Sequence, residues 1–194
     1  DLEFGTAGLR GILGAGTNRM NIYTVRKATQ GLANYIVSRG KEAMERGVAI
    51  SYDSRHFSTE FAYASASVLA ANGIKAYVFD KLHPVPVLSF AVRHLGCYNG
   101  IMITASHNPA RYNGYKVYGS DGAQLNVADS AEVFDYISNM DIFEDVRTID
   151  LEEAKKKGLL NIIGKDVREA YEEEVLKCRK NPDVENDTAK EIKI

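Results

Sequence analysis

Short apolar runs of strand length alternate with helix-length stretches along most of this chain, and that alternation restricts it to a layered α/β fold. Gly47 to Tyr52 (GVAISY), Ile74 to Phe79 and Gly100 to Thr104 (GIMIT) read as strands. Asn21 caps a helix whose Ile22, Val25, Thr29, Leu32, Ala33 and Ile36 share one face, and Gly40 ends it. Ser58 reads as a second N-cap, opening a helix through Phe61, Ala64, Ser65, Val68 and Leu69 that stops at Asn72-Gly73. Pro84 and Pro86 mark the entry to a helix running to Leu95-Gly96. The Asp121-Gly122 pair predicts a hairpin between strands Gly114 to Val117 and Ala123 to Val127. Further helices are expected over Asp129 to Met140, Leu151 to Lys157 and Lys165 to Lys180, with a short strand or extended link at Leu159 to Ile163. The expected architecture is a three-layer α/β/α domain with a mixed, largely parallel sheet, occupying residues 1–180. Asn181 to Asp187 reads as a polar linker and Lys190 to Ile194 as a strand beginning, so residues 181–194 are expected to lead into a second domain. The chain therefore reads as a fragment.

Charge narrows the range of partners. The chain carries 24 Lys and Arg against 26 Asp and Glu, a formal net charge of -2, and so has no bulk field to hold nucleic acid or an anionic membrane. Any anion must be gripped locally. The basic run Lys155-Lys156-Lys157 is preceded in its helix by Asp150, Glu152 and Glu153, which makes a solvated face rather than a nucleic-acid patch. Cys97 and Cys178 form neither a disulfide framework nor a zinc ligand set, and read as two reduced thiols of a cytosolic protein. No stretch approaches the roughly 18 apolar residues of a membrane span.

The chemistry concentrates in the loop after GIMIT, Thr104-Ala105-Ser106-His107-Asn108-Pro109-Ala110-Arg111-Tyr112-Asn113-Gly114-Tyr115-Lys116. A buried strand delivers Ser106 to the carboxyl edge of the sheet, where ligand crevices of open α/β sheets lie. Asn108-Pro109 and Asn113-Gly114 force turns that hold the hydroxyl on a defined loop. A serine so placed, beside an imidazole and with cations nearby, suits carrying or receiving a phosphoryl group. An acyl-transfer nucleophile would want glycine flanks, but Thr104 and Asn108 stand there. Adjacent residues of an extended loop also point apart, so His107 is not required to serve Ser106 as a base.

Taken whole, this loop resembles the serine-phosphate signature of the α-D-phosphohexomutases, the phosphoglucomutase and phosphomannomutase family. Phe4-Gly5-Thr6-Ala7-Gly8-Leu9-Arg10-Gly11 and Tyr52-Asp53-Ser54-Arg55 resemble that family's opening segment and the turn after its second strand, and the three matches stand in the family's order. The resemblance covers essentially the whole chain as the family's first domain. It implies that Ser106 is phosphorylated in the resting enzyme, passes its phosphoryl group to a hexose phosphate, and recovers the other phosphate from a bisphosphorylated sugar. Hexose 1-phosphate and 6-phosphate thereby interconvert.

The same resemblance implies a Mg2+ ion between the phosphoserine and aspartates of a second domain, with Ser106 the only ligand from this chain. The ion would offset a group carrying about -1.5 to -2 charges. Arg10 matches an arginine that approaches the phosphoryl group, as a guanidinium fork suits. Lys116 matches a lysine that stabilises the transferred group's charge and is a candidate proton acceptor. His107 is the other acid/base candidate. Arg10, Ser106, His107 and Lys116 are thus the expected catalytic and substrate-binding residues. The implied partners are the hexose phosphate and domains II to IV of the same chain, in the cytoplasm, and the isolated fragment is expected to be inactive. The alternative is a non-catalytic sugar-phosphate-binding or protein-binding module that keeps the fold without the chemistry.

The remaining polar residues take structural roles on this reading. Asn108 shapes its loop; Asp53 and Arg55 are placed either to face the site or, as the favoured reading, to form an internal ion pair that fixes the loop. His56, His83 and His94 lack metal-ligand spacing and are solvated or packed. Tyr112, Tyr115 and Tyr118 pack. Gly14-Ala15-Gly16-Thr17-Asn18-Arg19 begins like a dinucleotide fingerprint but has Arg19 in the third glycine's place.

Overall fold

A computed structural model describes residues 2, 4, 5 and 8–180 of the chain. The expected linker and opening strand at 181–194 lie outside the described residues. Six strands form one sheet in the order β1-β5-β4-β2-β3-β6. They are β1 (Gly8–Ile12), β2 (Val48–Tyr52), β3 (Ala76–Phe79), β4 (Asn99–Ile103), β5 (Tyr112–Tyr118) and β6 (Leu160–Ile163). Pairing is parallel across β4, β2, β3 and β6, while β5 runs antiparallel to both β4 and β1. The sheet is mixed and largely parallel, as the sequence predicts. Every residue of β2 and β4 is buried, which is why both read as continuous apolar runs.

Seven helices complete the domain: α1 (Ile22–Ser38), α2 (Lys41–Arg46), α3 (Ser58–Ala71), α4 (Val85–His94), α5 (Val127–Ser138), α6 (Leu151–Lys156) and α7 (Lys165–Lys177). Helices α1, α3, α5 and α6 build one apolar layer, in which Leu32, Ile36, Phe61, Leu69, Val133 and Ala154 meet Ile50, Ile101, Ile103 and Tyr115 of the sheet. The opposite layer sets Val87, Leu88, Ala91 and Val92 of α4 and Val167 of α7 against Ala49, Phe79 and Met102. Local chemistry sets the helix starts. Asn21 caps α1 through a reciprocal pair of bonds with Thr24, and Pro86 occupies the first turn of α4.

Two local expectations fail for identifiable reasons. Ser58 is not the cap of α3: Phe57 takes that position with φ 64°, and the Ser58 hydroxyl instead donates to Asp53 Oδ1 at 2.8 Å. The hairpin after β5 shrinks to a turn closed by Gly119 N–H to Ala123 O and a single bridge between Tyr118 and Gln124. Both hydrogen-bonding edges of β5 are already taken by β4 and β1, so Ala123 to Val127 has no strand to join along most of its length. The short helix α2, directly after Gly40, is an element the sequence pattern does not announce.

The route of the chain makes the crevice. It leaves β2 over one layer through α3 to reach β3, then returns over the other layer through α4 to β4, on the far side of β2. Strand order therefore reverses between β2 and β4, and their carboxyl ends open a crevice of the kind that holds ligands in such sheets. On the α4 side, directly paired residues share a face, so Gly8, Lys116 and Met102 form one row and Arg10 with Gly114 the next. Helix α4 packs on β2 and β4 and α7 packs on α4, which leaves the β5–β1 end of this face without a covering helix among the described residues.

Close approach at that uncovered end depends on glycine. A Cβ on Gly114 would stand 2.5 Å from the Thr104 carbonyl oxygen and 2.8 Å from that of Leu9, both backbone atoms that cannot swing aside. Gly114→Ala should therefore lower stability in urea unfolding by about 1–3 kcal/mol, the usual cost of overpacking. A variant as stable as the parent would show that β1, β5 and β4 are less tightly spaced. The thiols offer a second check on the core. Cys97 is fully buried, and desolvation pushes its pKa up to about 12, whereas Cys178 is exposed. A thiol reagent at pH 8 should label one cysteine per native chain and both after denaturation; rapid native labelling of both would contradict the packing beside β2.

Candidate active site at the β2–β4 crevice

Two loops meet at the crevice, one after β2 and one after β4, and each contains a non-glycine residue in the left-handed region. Phe57 has φ 64° and Ser106 has φ 57°. Such a conformation costs about 1–3 kcal/mol and persists only where its surroundings over-determine it. Around Ser106 they do. Its own N–H donates to Thr104 Oγ1 at 3.0 Å, and Asn108 N–H donates to Ala105 O at 3.1 Å.

The first loop clamps the second. Arg55 Nη2 donates to the carbonyls of Ser106 (2.9 Å) and Asn108 (2.7 Å), and Nη1 to those of Pro109 (3.1 Å) and Tyr112 (3.1 Å). Its Nε pairs with Asp53 Oδ2 at 3.3 Å, while Asp53 Oδ1 accepts from the Arg55 N–H and from Ser58 Oγ. Asn113, fully buried, donates to the His56 carbonyl and to Ser58 Oγ, at 3.0 Å each. The expected Asp53–Arg55 ion pair is present, and it does more than close its own turn.

What this scaffold presents is the Ser106 hydroxyl, exposed and 3.1 Å from His107 Nδ1. The expectation that the two side chains point apart is overturned. Alternation requires extended backbone, and the left-handed turn at Ser106 breaks it. With the ring proton on Nε2, the serine donates to Nδ1. Asp53, Ser54, Arg55, His56, Ser106 and Ala110 line an open depression of about 350 Å³. His56, read from the sequence as solvated or packed, is exposed on this wall. The available signal was its position at the same sheet edge as Ser106, which requires knowing that β2 and β4 are neighbours.

Arg10 reaches the same loop, its Nη1 donating to Asn108 Oδ1 at 3.1 Å. Asn108 thus holds an arginine besides shaping its turn. Lys116 projects from the same face of the sheet as Arg10, half-buried, one row farther from the crevice. Two residues along a strand are about 7 Å, a gap that an extended lysine side chain nearly spans. Arg10, Ser106 and His107 are thus gathered at one edge, with Lys116 one row behind them on the same face. His94 lies elsewhere, packed against Phe90; His83 is bonded to the end of β2 through its backbone but packs on Phe79 outside the lining of the depression, and Tyr115 and Tyr118 are buried. A larger cavity of about 680 Å³ lies by α1 and α5, but the Gln30 amide at its wall is fully engaged with Asn34, Asn72 and the Arg147 N–H.

Electrostatically the site is cationic at its rim, and Arg55 is already spent on carbonyl oxygens. Among the described residues no group of three His, Cys, Asp or Glu is placed to hold a metal ion. Asp53 is committed to Arg55 and Ser58, whereas the Ser106 hydroxyl is exposed at the crevice with His107 as its partner. No helix of the described residues is long and apolar enough to cross a membrane.

Comparison with known proteins gives the family and the fold. The family model for phosphoglucomutase/phosphomannomutase, alpha/beta/alpha domain I, matches residues 1–142. A phosphoglucomutase of Staphylococcus haemolyticus is 44% identical over 84% of this chain and 31% of its own length. One from Staphylococcus aureus is 50% identical over 72% of this chain and 25% of its own. A putative phosphomannomutase from Thermus thermophilus superposes with a TM-score of 0.74 at 27% identity, covering 91% of this chain and 36% of that one. The chain thus spans about a quarter to a third of the curated relatives it matches. A sheet that switches direction at an exposed, left-handed serine, together with a family match over most of its length, makes this chain a member of the phosphoglucomutase/phosphomannomutase family, corresponding to its α/β/α domain I.

Proposed function

We propose that this chain is the phosphoserine-bearing domain of a phosphohexomutase that interconverts hexose 1-phosphate and 6-phosphate. The observation that carries the reading is the Ser106 hydroxyl, exposed at the crevice, bonded to an imidazole, and set on a loop that also engages Arg10. In the proposed cycle Ser106 begins as its phosphate ester. A hydroxyl of the bound hexose phosphate attacks phosphorus, its P–O bond forms as the Ser106 Oγ–P bond breaks, and the sugar becomes a bisphosphate. Lys116 accepts the proton of the attacking hydroxyl, and His107 returns a proton to the departing Oγ. Arg10 releases Asn108 and turns its fork to the oxygens of the moving group, where a fixed cation lowers the barrier most. The sugar then presents its other phosphate and the steps run in reverse.

The fit to Mg2+ is partial and informative. This chain offers one oxygen-bearing group, the Ser106 phosphate, and the other ligands are assigned to aspartates in a later part of the enzyme. When bound, the ion would neutralise charge on the phosphoserine. Residues 1–180 are assigned to domain I and 181–194 to the connection with domain II. The sugar's remaining contacts are assigned to domains II to IV. Two unpaired thiols suit a reducing compartment, and we place the enzyme in the cytoplasm.

In a full-length enzyme containing this sequence, Ser106→Ala should reduce mutase turnover by ~10³-fold or more, as expected for loss of a nucleophile. Intact-mass measurement should find one phosphoryl group on the parent and none on the variant. An active Ser106→Ala enzyme would sink the reading, and an unphosphorylated, inactive parent would favour a binding module. The isolated 194-residue chain should fold and show no mutase turnover; measurable turnover would overturn the assignment of the remaining machinery to other domains.

A further inference from the structure

We infer that Arg55 is the positioning residue of the serine loop: by gathering four of its carbonyl oxygens onto one guanidinium, it holds Ser106 in the left-handed conformation that exposes the hydroxyl to the crevice. The inference rests on the phosphoserine reading and extends it to a residue outside the reacting set. A guanidinium has five N–H donors. Here the four on Nη1 and Nη2 bond loop carbonyls, and Nε is ion-paired with Asp53. Arg55 is thus committed to the loop and to Asp53 rather than to a phosphate oxygen. It acts through the loop.

Three features make this tie specific. First, the carbonyls belong to Ser106, Asn108, Pro109 and Tyr112, so one side chain spans the loop from its reactive residue to the first residue of β5. Second, the tie is anchored from below. Asp53 holds Arg55 Nε and Ser58 Oγ, and Ser58 Oγ accepts from Asn113, which lies within β5. Third, Arg55 is largely withdrawn from water, its side chain 14% exposed, where hydrogen bonds to a charged donor are worth roughly twice the neutral kind. Several such bonds readily offset the few kcal/mol of strain at Ser106. The planar fork matters as well as the charge. Lysine would supply a cation with three donors and no fixed plane, too few to engage all four carbonyls.

Loss of the tie should therefore let Ser106 relax toward ordinary backbone and swing its hydroxyl away from the attacking group. A displacement of about 1 Å at a reacting atom can cost on the order of a hundredfold in rate while substrate contacts made elsewhere persist. The test compares Arg55→Ala, Arg55→Lys and Ser106→Ala in the full-length enzyme. It reads kcat and KM for hexose phosphate, phosphoryl occupancy by intact mass, and the melting temperature. The expected result is a fall in kcat of about tenfold to a hundredfold in both Arg55 variants, with KM changed less than about threefold.

Arg55→Lys is expected to remain folded and still fail to restore kcat, so it carries the test should Arg55→Ala not fold. A folded Arg55→Lys enzyme with kcat within about twofold of the parent would overturn the positioning role, as would a loss confined to KM. The two readings fail separately. Activity surviving Ser106→Ala overturns the phosphoserine assignment, whereas an inactive Ser106→Ala enzyme beside fully active Arg55 variants overturns only this inference.

Discussion

One guanidinium ties together the two loops on which the candidate site depends. Arg55 ends on four carbonyls of the serine loop and on the Asp53 carboxylate of its own. Nothing else among the described contacts spans the serine loop from Ser106 to the start of β5. The tie works because β2 and β4 are adjacent in the sheet though separated in sequence, so their carboxyl-end loops rise side by side at the strand-order reversal. Topology supplies the neighbourhood, and Arg55 fixes the geometry within it.

Much of this was legible from residue order alone. The buried strands β2 and β4 announce themselves as apolar runs, Asn21 as a cap, and Ser106 as a serine delivered to a sheet edge by a buried strand and flanked by turn-forming residues. Much of what escaped needed a tertiary neighbour or a local backbone turn that residue order does not show. Ser58 looks like a cap until Asp53 claims its hydroxyl. Ala123 to Val127 looks like a strand until both edges of β5 are filled. His107 looks turned away from Ser106 until a positive φ breaks the alternation. The ion pair of Arg55 with Asp53 could be guessed from their spacing, but its four long-range carbonyl partners could not.

The division of labour around the crevice follows from which donors are already occupied. Arg55 is committed to four loop carbonyls and to Asp53 and acts through the loop. Arg10 holds only a neutral side-chain amide oxygen, Asn108 Oδ1; an anionic phosphate oxygen attracts a guanidinium more strongly than a neutral amide does. The Lys116 side chain makes no hydrogen bond or ion pair among the described residues and lies on the uncovered β5–β1 end of the sheet. The matched relatives are each covered over only a quarter to a third of their length.

The most direct measurement follows the phosphorus atom itself. Full-length enzyme exposed to a hexose phosphate labelled at phosphorus, then quenched in acid and cleaved into peptides, should carry acid-stable label on the peptide spanning Thr104 to Arg111, localised to Ser106. Label found as an acid-labile adduct of His107, on another peptide, or nowhere in an enzyme that is turning over would contradict the account.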